Sequence, residues 1–65
     1  MISEIENKVM DIFLNTNCSK EDGGFWVAVL SKVNGWEEMY EWLQKQEKLT
    51  IEMIDDKIEE MLLRK

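Results

Sequence analysis

At 65 residues, with a formal charge of −6 and a single cysteine, the chain has room for one small core and no internal disulfide to brace it. It contains no histidine, which removes the familiar zinc ligand sets and the imidazole that most often serves as a general base. Fourteen acids against eight bases oppose phosphate binding, whereas a 45% hydrophobic content with three Trp and five Met is enough for a dense core.

Residues 3–16 read as an amphipathic helix. Ser3 and Glu6 have the spacing of a capping box, in which each side chain takes one orphan backbone N–H. Ile5, Val9, Ile12 and Phe13 recur at helical spacing and form the core face. Glu4 and Lys8 stand at i and i+4 on the opposite side, acid first, which is the better orientation. Met10 and Leu14 form a second, narrower apolar strip off that face.

Asn15-Thr16-Asn17-Cys18-Ser19 is polar and aperiodic, the chemistry of a turn. It alternates oxygen-bearing side chains as a calcium loop would. However, Lys20 stands where such a loop requires glycine, and no glutamate occupies the twelfth position. Ser19 with Asp22 is expected to start a short helical turn that Gly23-Gly24 interrupts. Gly23-Gly24 lacks the spacing of a phosphate-binding loop and reads as a turn.

The nine residues from Phe25 to Val33 carry one charge and lie between that glycine pair and Asn34-Gly35. Their composition suits a buried strand as well as a helix. No other segment alternates with period two, so a lone strand would leave its backbone groups unpaired within the chain. The run is therefore read as the central buried helix, with Phe25 and Trp26 in the core and Asn34-Gly35 as a left-handed stop.

A third helix is expected over 36–48. Trp36, Met39, Tyr40 and Leu43 share its core stripe, Glu38, Glu41 and Lys45 face away, and Trp42 sits at the stripe's edge. Acids in its first turn and Lys45 and Lys48 near its end match the helix dipole. The fourth helix, 51–64, has Thr50 as N-cap and a Leu49/Ile54 staple. Ile51, Ile54, Ile58, Met61 and Leu62 form its apolar face. Glu52, Asp55, Asp56, Glu59 and Glu60 form a broad acidic face, and Met53 and Leu63 lie outside the stripe.

The fold class is thus all-α: a small four-helix domain with helices at about 3–16, 25–33, 36–48 and 51–64 around a central apolar helix. The start of the chain, from Met1-Ile2, has neither a basic region nor a long apolar run, so no signal peptide is expected. No segment approaches a membrane span, and a cytoplasmic location follows as the expectation. An enzyme is not expected. Cys18 is the only candidate nucleophile and has no histidine to activate it. No cofactor or metal is implied. A helix-turn-helix reading of 25–48 would aim Glu37 and Glu38 at DNA phosphates, which argues against direct nucleic-acid binding.

What remains is contact with another protein. Trp42, Met53, Leu63, Met10 and Leu14 are large apolar residues beyond what the stripes require, and they are the expected interface. The expected function is a small acidic protein-binding module, acting as a homodimer or as a regulatory subunit. The alternative is an acidic inhibitor. On that reading Glu52, Asp55, Asp56, Glu59 and Glu60 mimic nucleic-acid phosphates and block a nucleic-acid-binding protein.

Overall fold

A computed structural model describes residues 3–64; Met1, Ile2 and Lys65 lie outside the described residues. Those residues form four helices and no strand: α1 (Glu4–Asn15), α2 (Lys20–Val33), α3 (Trp36–Gln44) and α4 (Ile51–Leu63). The all-α expectation therefore holds, and the run at 25–33 is helical.

Three of the four helices start where a side chain caps them, and α3 begins after Gly35 without a side-chain cap. In α1 the Glu6 N–H donates to Ser3 Oγ at 3.1 Å and the Ser3 N–H donates to Glu6 Oε2 at 3.2 Å, completing the capping box. The Glu4–Lys8 ion pair closes at 3.4 Å on the exposed side. At the other end Thr16 Oγ1 donates to the Phe13 carbonyl, and Asn17 turns left-handed at φ 61°. Thr50 caps α4 by accepting from the Met53 N–H at 3.1 Å.

Two helix boundaries differ from the sequence reading. Ser19 does cap a helix, accepting from the Asp22 N–H at 3.0 Å, but the glycine pair does not end it. α2 runs from Lys20 through Gly23 and Gly24, neither of which has a positive φ. Glycine lowers helix propensity by about 1 kcal/mol against alanine without forbidding a helix, and the apolar turns that follow hold this one. α3 is shorter than expected and stops at Gln44, which leaves Lys45 as its C-cap and Lys48 beyond it, so neither base stands in its last turn. The Gln46 side-chain amide donates to the Trp42 carbonyl at 3.1 Å, satisfying one of the orphan acceptors of the last turn.

The turn between α2 and α3 is as expected in type but divides its labour differently. Asn34 is the left-handed residue, at φ 55° and ψ 48°, and the Gly35 N–H reaches back to the Leu30 carbonyl at 3.0 Å. Gly35 itself has a negative φ. Its reason to be glycine is close approach, because a Cβ there would collide with Met61 Cε.

The core is one cluster drawn from all four helices. It includes Val9 and Phe13 of α1, Trp26 and Leu30 of α2, Met39 and Leu43 of α3, and Ile54 and Ile58 of α4. Phe13 and Trp26 meet edge-to-face with ring centroids 4.9 Å apart. Phe25 departs from expectation and is 45% exposed. A helix starting at Lys20 buries Trp26, Val29, Leu30 and Val33, and a residue 100° from Trp26 falls at the edge of that stripe. α2 touches each of the other helices, yet Phe25, Ala28, Ser31 and Lys32 face outward along it.

Helix pairing does not follow chain order. α1 lies closest to α3 and α2 to α4, while α1/α2 and α2/α3 meet over shorter stretches. Among the described residues the backbones of α3 and α4 do not come into contact. Openings lie at the surface between α1 and α2 and between α3 and α4.

Candidate functional site

The opening between α1 and α2 is an apolar groove of about 290 Å³. Met10, Phe13 and Leu14 form the α1 wall, Gly24 and Val27 line the α2 side, and Cys18 closes one end. Among the described residues Lys20 is the one charged residue along it. Met10 packs partly onto the core, but Leu14 is 73% exposed. The Cys18 thiol faces the Phe13 carbonyl at 3.5 Å and lies close beneath Gly23, where a Cβ would come within 3.3 Å of Sγ. Gly24 is different: a Cβ added there would meet nothing within 4 Å.

The opening between α3 and α4 is a shallow depression of about 270 Å³ lined by Trp42, Met53, Asp56, Lys57 and Glu60. Trp42 and Met53 are half-buried, and Trp42 packs against the core cluster. Glu38, expected to face away from the core, instead crosses to α4. It binds Lys57 Nζ at 3.2 Å and also pairs with Arg64. Lys57 makes a second, longer contact with Glu60 at 3.7 Å. The hydrogen bond from the Arg64 guanidinium holds the Glu38 carboxyl below its ordinary value; burial opposes it, and Lys57 adds a lesser lowering. Glu38 thus belongs to the framework that ties α4 to α3.

The five residues expected to form one interface are distributed over three places. Met10 and Leu14 share the α1/α2 groove, Trp42 and Met53 share the α3/α4 cleft, and neither opening includes Leu63, which is 84% exposed near the end of α4. The acidic set also divides. Asp55 accepts a hydrogen bond from the indole N–H of the fully buried Trp26, at 2.5 Å. Asp56 and Glu60 line the cleft beside Trp42, and Glu52 and Glu59 are exposed alongside. Apolar and acidic candidates that looked like rival readings in the sequence thus meet in one cleft.

Sequence reasoning missed Gly24, Val27 and Cys18 as groove-lining residues, because it read the glycine pair as a turn. The signal was present in Ser19 and Asp22, whose cap spacing points to a helix start ahead of the glycines. Among the described residues no group of three or more acidic or thiol side chains is arranged to hold a metal ion, and no helix is long and apolar enough to cross a membrane. Comparison with protein-family models, curated proteins and solved structures gave no match to this chain.

Proposed function

We propose that this chain is a protein-binding module that seats a helix of another protein in the α1/α2 groove. The observation that carries this reading is Gly24. It sits inside a helix with ordinary backbone angles and open space where a side chain would be, so nothing in the fold's own packing requires it to stay bare. A mid-helix glycine costs about 1 kcal/mol against alanine. Close approach by a partner helix gives the position a purpose, since small residues let two helix backbones come together. Leu14 and Val27 flank it as apolar anchors, the arrangement used when a helix lies in a groove.

A second copy of the chain is the less favoured occupant, because each copy carries a charge of −6. The phosphate-mimic alternative is weakened by Asp55, which is engaged by Trp26 and interrupts the acidic run. The test compares the wild-type chain with Leu14→Asp and Gly24→Leu in affinity capture from the source-cell extract, alongside sedimentation velocity. The expected result is a partner held by the wild type and lost by both variants, with all three sedimenting as monomers. Variants that retain everything the wild type holds would remove the groove from the function. A wild-type dimer dispersed by Leu14→Asp would make the occupant a second copy.

A further inference from the structure

We infer that the α3/α4 cleft is a second docking site, and that its occupant is a basic amphipathic helix of a partner protein. Such a helix would set an apolar side chain on Trp42 and Met53 and its Lys or Arg groups against Asp56 and Glu60. Trp42 and Met53 supply the cleft's apolar part and are both half-buried, so part of each stays accessible. Aromatic residues with one polar tip make strong interface anchors.

Charge selects the occupant. Among the described residues Lys57 is the one cation lining the cleft, its side chain is only 12% exposed, and Glu38 and Glu60 already hold it. Asp56 has no ion pair among the described residues, nor do Glu52 and Glu59 on the adjoining surface of α4. The unneutralised charge around the apolar floor is therefore negative, and it faces a partner rather than another part of this chain. A cation laid over Trp42 gains from the ring face as well as from the carboxylates. A second copy would bring the same acids together, and nucleic acid would bring phosphates to them; both are repelled. This site shares no lining residue with the α1/α2 groove, so either proposal stands or fails without the other.

The probe is a synthetic helical peptide of roughly 18 residues, long enough to cross the cleft at 1.5 Å per residue. Leu forms one face and Lys and Arg the other, and the control peptide carries Glu in place of every base. Titration into the isotope-labelled full chain is followed by amide and indole N–H resonances. The expected result is saturable movement of the Trp42 indole and of the Met53, Asp56, Lys57 and Glu60 amides, with the Trp26 and Trp36 indoles unmoved. Affinity should fall about tenfold in an Asp56→Asn/Glu60→Gln variant, and by a similar factor between about 50 mM and 500 mM salt. Both substituted side chains are exposed, and the variant's unbound spectrum reports whether the fold is kept. The proposal is overturned if the basic peptide causes no saturable shift or moves Leu14 and Val27 instead. Equal binding of the acidic control, or indifference to the double substitution, would overturn it as well.

Discussion

The indole N–H of Trp26 donates to Asp55 Oδ1 across the α2/α4 contact, at 2.5 Å. Trp26 is fully buried, so its one polar atom has to find its acceptor inside the protein. A carboxylate that looks like part of a solvated acidic face in the sequence is thereby a structural group. Asp55→Ala leaves the buried donor without a partner and is expected to cost about 1–3 kcal/mol. Asp55→Asn keeps an oxygen acceptor and should cost visibly less. Urea denaturation of the two variants beside the wild type checks the order. Equal losses would show that the hydrogen bond is not what Asp55 supplies. Any test of the acidic face should accordingly use Glu52, Asp56, Glu59 and Glu60 and leave Asp55 in place.

The glycines should respond to alanine in opposite directions. Gly24→Ala adds a methyl into open space within a helix and is expected to stabilise the fold by up to about 1 kcal/mol. On the groove proposal the same change weakens partner binding, which separates stability from function in one variant. Gly35→Ala drives a methyl towards Met61 and Val33 in a packed region. Because the nearest atom is the flexible tip of Met61, the cost should fall at the low end for overpacking, about 1 kcal/mol. Thermal unfolding of both variants checks the signs.

Glu38 makes stability depend on pH at the acidic end. Its folded-state pKa is lowered, so its contribution is present above the unfolded-state value and is lost as pH falls through the folded one. The pair is partly exposed, which limits Glu38→Gln to a loss of about 0.5–1 kcal/mol near neutral pH. Melting curves of wild type and variant should converge as the pH drops below the usual glutamate range. A constant gap down to pH 2 would mean that charge is not the cause.

Exposed and core apolar side chains should separate cleanly. Leu14→Asp, at an exposed site in the last turn of α1, is expected to cost about 1 kcal/mol, from the lower helix propensity of Asp and a carboxylate at the helix C-terminus. Trp26→Ala removes a fully buried side chain and its contact with Phe13, and about 3–5 kcal/mol is the expected loss. Trp42→Ala should lie between them, because the ring is half-buried against the core and half-open to the cleft. Circular dichroism at rising temperature ranks the three. A Trp42 variant that unfolds like the Trp26 variant would assign the ring to the core.

The sequence by itself determined the elements. Caps at Ser3, Ser19 and Thr50, the Asn34-Gly35 stop and 3.6-residue periodicity are local properties, set by side chains within one or two turns of each other. They specify four helices and most of the buried stripe. Where local cues conflicted, at Gly23-Gly24, the apolar turns beyond outweighed the glycine penalty, and the helix began five residues earlier than the periodicity alone implied.

Which helices pair was decided only by the tertiary structure. An amphipathic face requires a partner but does not name one, since hydrophobic contact is non-directional and any apolar stripe satisfies another. α1 approaches α3 most closely and α2 approaches α4, while openings lie between α1 and α2 and between α3 and α4. That choice sorted Met10 and Leu14 into one groove, placed Trp42 and Met53 beside Asp56 and Glu60 in another, and turned Asp55 towards Trp26. Each of these relationships joins residues on different helices, so no window along the chain contains it.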